Sequence, residues 1–102
     1  MKNHKIILPV SGSSVDREFM VEGIGKKPVQ LYVKSNDGKW YLQRPSIVIG
    51  SVWGCVCFVG DNNTKVGSQF TLVAVKTSER PKSPQNHLPH FPNSNVVVVI
   101  KK

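Results

Sequence analysis

Residues 52–75 constrain the fold more than any other stretch. They read Val-Trp-Gly-Cys-Val-Cys-Phe-Val, then Gly-Asp-Asn-Asn-Thr-Lys-Val-Gly, then Ser-Gln-Phe-Thr-Leu-Val-Ala-Val. Two runs rich in β-branched and aromatic residues flank a polar loop bounded by glycines, which is a strand–loop–strand signal. Successive strand residues point to opposite faces. In 51–59 that alternation puts Trp53, Cys55, Cys57 and Val59 on one face, and Val52, Gly54, Val56 and Phe58 on the other. Both faces are apolar. The pattern predicts a central strand that is covered on both sides, or one with a face partly open to a partner. In 69–77, Phe70, Leu72 and Ala74 stand opposite Thr71, Val73 and Val75.

The rest of the chain supplies similar pieces. Residues 5–10 form a first strand, with Pro9 near its end as suits an edge. Residues 18–24 alternate, with Phe19, Val21 and Gly23 opposite Glu18, Met20, Glu22 and Ile24. In 29–34, Val29, Leu31 and Val33 alternate with Gln30, Tyr32 and Lys34. Ser35-Asn36-Asp37-Gly38 is a hairpin turn, since Asp-Gly tolerates the positive φ such turns need. Residues 39–43 return as the next strand, Arg44-Pro45 bends the chain, and 46–49 make a short edge piece. Residues 78–95 have no periodicity and hold Pro81, Pro84, Pro89 and Pro92 with His87 and His90. An irregular segment of that length points to a functional or mobile loop. The apolar run 96–100 closes the chain as a strand buried on both faces, or as an edge hidden by another element.

Seven to eight strands at spacings of about ten residues, with turn signals between them, predict an all-β antiparallel sandwich. A long Pro-rich loop precedes the last strand. An OB-like or SH3-like barrel is the competing arrangement, but it needs a capping helix for which no signal exists. The 102 residues make a single domain, 1–102, able to bury a core of its own. No apolar run approaches a membrane span. The N-terminus is too briefly apolar for a signal peptide, so the sequence reads as cytoplasmic if the chain stands alone.

The formal net charge is +8, from 14 basic and 6 acidic residues. That charge attracts polyanions weakly, and it also serves solubility. No basic run exceeds two residues, whereas a dedicated nucleic-acid module concentrates its cations along one helix or groove. Cys55 and Cys57 are two apart on one strand, about 6.5–7 Å along the chain. This favours two free packed thiols over a disulfide. A zinc site would have to recruit His87 and His90 from a distant loop. Asp61, Asn62 and Asn63 could offer oxygens to calcium, but their loop carries Lys65 and few carboxylates, so it reads as a polar turn. No cofactor is expected. His4, His87 and His90 stand in no catalytic motif, and no Gly-rich phosphate loop occurs. The chain is not expected to be an enzyme.

Several segments resemble one known kind of domain. Leu8-Pro9-Val10-Ser11-Gly12-Ser13-Ser14-Val15 with Arg17-Glu18-Phe19-Met20-Val21-Glu22-Gly23 is similar to the opening of bacterial immunoglobulin-like and fibronectin-type modules. Residues 37–43, Trp53 with 58–61, Val66-Gly67 and 70–75 extend the resemblance over most of the chain. Such β-sandwich modules are fused to signalling and defence effector proteins. The resemblance implies an immunoglobulin-like sandwich with no catalytic motif, whose role is binding or spacing. The proline-rich segment lacks the short helical insertion of that family.

The expected function is a non-catalytic protein-interaction or accessory module. The alternative is a ligand-binding module for carbohydrate or nucleic acid. Its surface would be a basic–aromatic hairpin of Tyr32, Lys34, Lys39, Trp40, Tyr41 and Arg44, because aromatics beside cations suit sugar rings, bases and acidic partners. Cross-strand packing with snorkelling lysines accounts for the same residues. Pro81 to Pro84 also makes a P-x-x-P. A protein is the expected partner, with no membrane. Strand edges at 6–10 and 96–100 would permit a homodimer by edge pairing.

Overall fold

A computed structural model describes residues 5–60 and 63–102. Its described residues hold no helix and nine strands: β1 Ile6–Leu8, β2 Ser14–Val15, β3 Glu18–Ile24, β4 Val29–Lys34, β5 Trp40–Leu42, β6 Ile47–Ile49, β7 Val52–Phe58, β8 Gln69–Lys76 and β9 Val97–Lys101. One sheet has the order β1-β3-β7-β6, the other β2-β9-β8-β4-β5. The expectation of seven to eight strands omitted β2, a two-residue piece that sequence periodicity cannot register. β2 also departs from the antiparallel expectation, for it runs parallel to β9. The chain leaves β1 in one sheet through Pro9 and joins the other as β2.

The two sheets enclose one core. Strict alternation in β3 and β7 sends Val21, Trp53, Cys55 and Cys57 inward from the first sheet. Leu31, Val33, Phe70, Leu72, Ala74, Val97 and Val99 meet them from the second. Gly23 is required by the largest of these side chains. It pairs with Trp53 across β3 and β7, and a Cβ on it would stand far inside van der Waals contact of the nearest indole carbon. Gly38 does separate work at the β4–β5 turn. Its φ of 79° closes the hairpin, with its N–H donating to the Ser35 carbonyl at 3.0 Å.

The last strand is not an edge. β9 lies between β8 and β2. The Ser11 hydroxyl accepts from Val98 N–H, and the Gly12 N–H donates to the Val98 carbonyl. This corrects the expectation that residues 96–100 offer a free edge for a second chain. The neighbouring segment 11–15 already occupies it.

Residues 77–96 contain no named strand or helix, yet they are tied down along their length. Gln85 pairs with Trp40 of β5, N–H to carbonyl in both directions, at 2.7 and 2.9 Å. The Ser83 hydroxyl accepts the Leu42 N–H at 3.0 Å. Arg80 donates to the Gln43 carbonyl at 2.7 Å and to the Gln30 side chain. At the far end, buried Ser94 accepts from Ala74 N–H at 2.8 Å. Asn95 then binds both the N–H and the carbonyl of Ile6, as a strand would. The segment therefore lies across the outer side of the second sheet and closes onto the first.

Candidate interaction surface

The hairpin residues singled out from the sequence do not converge. Tyr32 is fully buried and offers no surface, which corrects its place in the candidate set. It points to the outer side of β4, where it packs with Val73 and Val75 beneath Trp40, Leu42 and Leu88. Burial pushes its phenol pKa up. Trp40 is half-buried in the same cluster, with the exposed Lys34 ammonium 5.8 Å from its ring centroid. Lys39 is exposed in the turn. Tyr41 alternates to the opposite side of β5. Its hydroxyl donates to Asp37, which raises the Tyr41 pKa and lowers that of Asp37. Arg44 is further away, with its guanidinium 5.1 Å from the ring centroid of Phe58 on β7.

The cysteines take the structural role that their spacing predicts. Both are free and buried, and Cys57 donates to the Cys55 sulfur at 3.9 Å. That hydrogen bond and burial push the Cys57 thiol far above its ordinary range. Cys55 in turn donates to the Arg44 carbonyl at 3.1 Å. Among the described residues no three His, Cys, Asp or Glu side chains gather as metal ligands. Of the polar loop considered for calcium, Asp61 and Asn62 lie outside the described residues. The P-x-x-P segment is bound along β5 through Ser83 and Gln85, so it is not presented as a free peptide. No helix among the described residues is long and apolar enough to cross a membrane.

A different surface emerges on the outer face of the first sheet. The register places Ile24, Val52 and Ile49 side by side in one row across β3, β7 and β6. The next row is Glu22, Gly54 and Ile47, and beyond it Met20 stands opposite Val56. Ile47 is 69% exposed, Ile49 77%, Met20 53% and Val52 52%. Val48, between the two isoleucines, packs on the core instead. Gly54 leaves a gap in the middle of this face, because the only atoms near a Cβ there would be Met20 sulfur at 3.8 Å and Val21 oxygen at 4.0 Å. The result is a shallow apolar groove of about 510 Å³, with Glu22 and Arg44 in its lining. Contiguous apolar patches of this kind mark interaction sites on soluble proteins.

A second groove of about 500 Å³ opens beside β5, lined by Tyr41, Gln43, Arg44, Phe58 and Thr64 among others. Its floor is held by Gln43, whose side-chain oxygen accepts the Phe58 N–H at 2.7 Å and so ties the two sheets together. Arg44 lines both grooves and forms the ridge between them.

Comparison with known proteins finds no family model and no curated protein that matches the chain. The surface must therefore be read from its own chemistry. The sequence signal for it was present in two places. Met20 and Ile24 are apolar on a strand face that also carries Glu18 and Glu22. Ile47 and Ile49 alternate with a core valine in an edge strand too short to be sheltered on both sides.

Proposed function

We propose that the chain is a non-catalytic, immunoglobulin-like β-sandwich module that works by protein–protein contact through the outer face of the β1-β3-β7-β6 sheet. The strand order supports the sandwich type. With β1, β3, β7 and β6 as strands A, B, E and D, and β9, β8 and β4 as G, F and C, the two sheets follow the immunoglobulin arrangement. β2 then belongs to the first strand, split so that its second half joins the opposite sheet. The observation that carries the function is the exposed row Ile24–Val52–Ile49, continued by Ile47 and Met20. An apolar strip left uncovered by the described chain is stabilised by burial against another protein.

A photo-crosslinking amino acid tests this reading. Placed at Ile49 in cells making the protein, it should give discrete protein adducts. Placed at exposed Asn86, on the segment that covers the other sheet, it should give none. Discrete adducts from Asn86 and none from Ile49 would overturn the proposal.

The groove beside β5 favours a second reading, a ligand site for a carbohydrate or nucleotide fragment. Its volume falls in the range of small-molecule sites, and it places Tyr41 and Phe58 beside the Arg44 cation. Titration with oligosaccharides and short oligonucleotides, read by Tyr41→Phe and Arg44→Ala variants, decides it. Equal binding by wild type and both variants removes this reading.

A further inference from the structure

The occupant of the apolar face follows from how charge is arranged on it. The molecule carries 14 basic residues, yet of those among the described residues only Arg44 lines the groove. The two acids of β3, Glu18 and Glu22, point to the same outer side as Met20 and Ile24. A face with two carboxylates and one guanidinium is poorly suited to an acidic partner, and it is the part of this cationic protein least repelled by another copy.

The layout is also self-complementary. Glu18 lies on β3 directly opposite Phe58 of β7. Arg44 stacks on that same Phe58 from the β6 side, since it directly precedes Pro45 and β6 in the chain. At one level of the sheet, then, an anion flanks β7 on one side and a cation on the other, with the apolar rows beyond them. A two-fold axis lying between two such faces, parallel to β7, exchanges the flanks. Each Glu18 then meets the partner copy's arginine, Ile24 comes over the other copy's Ile49, and Glu22 comes over its Ile47. An isologous contact demands this kind of matching.

We propose that a second copy of this chain docks face to face on the β3-β7-β6 surface, with the Ile24–Val52–Ile49 row of each copy buried against that of the other and reciprocal Glu18–Arg44 pairs at one end. The proposal rests on the interaction reading above and names its partner. It differs from edge pairing, which would extend a sheet through main-chain hydrogen bonds and would leave the isoleucines exposed.

Sedimentation velocity of the purified chain over a range of concentrations tests it. The wild type should show a concentration-dependent monomer–dimer equilibrium. Ile47→Asp with Ile49→Asp should raise the dimer Kd by about thirtyfold or more, as expected for residues central to an interface. Arg44→Glu alone should raise it by roughly fivefold through two like-charge contacts, and Glu18→Arg alone similarly. The double swap Glu18→Arg/Arg44→Glu should restore most of the loss. Unfolding midpoints establish that each variant is folded, because these side chains lie outside the core. A wild type that stays monomeric at millimolar concentration overturns the proposal. So does a dimer that survives the double aspartate variant, or a double swap that restores nothing. A monomeric wild type whose Ile49 probe still captures a different protein removes self-pairing while leaving the interaction reading in place.

Discussion

The outer faces of the two sheets start from similar sequences and end differently. In β8 the outward residues Val73 and Val75 are buried, as is Tyr32 of β4, because residues 77–96 lie over them. In β7 and β6 the outward residues Val52, Ile47 and Ile49 stand in solvent. Both strands of the 52–75 stretch are apolar on both sides, but only one receives a cover from its own chain. The cover is held mainly by backbone partners, from Gln85 on Trp40 to Ser94 on Ala74. The difference shows that a two-sided apolar strand signals two contacts, of which one can be intramolecular and the other supplied by a neighbour.

The comparison can be broken most sharply at Tyr32. Tyr32→Ala should cost about 3–5 kcal/mol, the range for removing a buried aromatic, measured as a fall in urea unfolding stability. A loss below about 1 kcal/mol would mean that the cover contributes little. Tyr32→Phe should cost nothing, since the hydroxyl has no hydrogen-bond partner among the described residues.

Gly23→Ala comes next. The added methyl meets Trp53 and the Lys5 carbonyl, so the indole must shift. Overpacking of this kind costs about 1–3 kcal/mol, and near-ultraviolet circular dichroism should report the displaced tryptophan. An unchanged spectrum and midpoint would contradict the packing between β3 and β7.

On the open face the expected stability effects are small. Ile49→Thr should leave unfolding within about 0.5 kcal/mol of wild type, while weakening any association through that face. A large stability loss would show that the isoleucine is covered by the chain itself.

The smallest effect belongs to the Asp37–Tyr41 pair, which lies at the hairpin and serves neither face. Asp37 is held below its ordinary value of 3.8, chiefly by the Tyr41 hydrogen bond, so its contribution is present above that value and fades as pH falls through the depressed one. Tyr41 is held above its ordinary 10.0 by the same bond, so its contribution is present below that value and fades as pH rises through the elevated one. The stability gap between wild type and Tyr41→Phe should thus be flat near neutrality and close at both extremes. A gap that peaks at either extreme would contradict the pairing.

Much of the fold was legible in the sequence. Alternation gave the inward set Val21, Val33, Phe70, Leu72 and Ala74, and Asp37-Gly38 gave the hairpin. β2 was not legible, because two residues paired in parallel have no local signature. The burial of Tyr32 was not legible either. A tyrosine between Leu31 and Val33 in an alternating strand looks the same whether its outward side meets water or a loop from fifty residues later. The candidate surface was only half legible, for the converse reason. Apolar character on both sides of residues 52–58 predicts either a strand covered on both sides or one with a face open to a partner, and strand periodicity cannot tell which face its own chain will leave open.

The central claim is that one outer face is closed by residues 77–96 and the other is open. Thiol labelling of single engineered cysteines, at protein concentrations low enough to keep the chain monomeric, tests it most directly. Buried Cys55 and Cys57 serve as internal unreactive controls. The account predicts that Ile49→Cys reacts at the rate of an unfolded peptide, whereas Val73→Cys reacts only when the protein unfolds. Equal reactivity at the two positions, or protection of the thiol at the Ile49 position in the monomer, would contradict it.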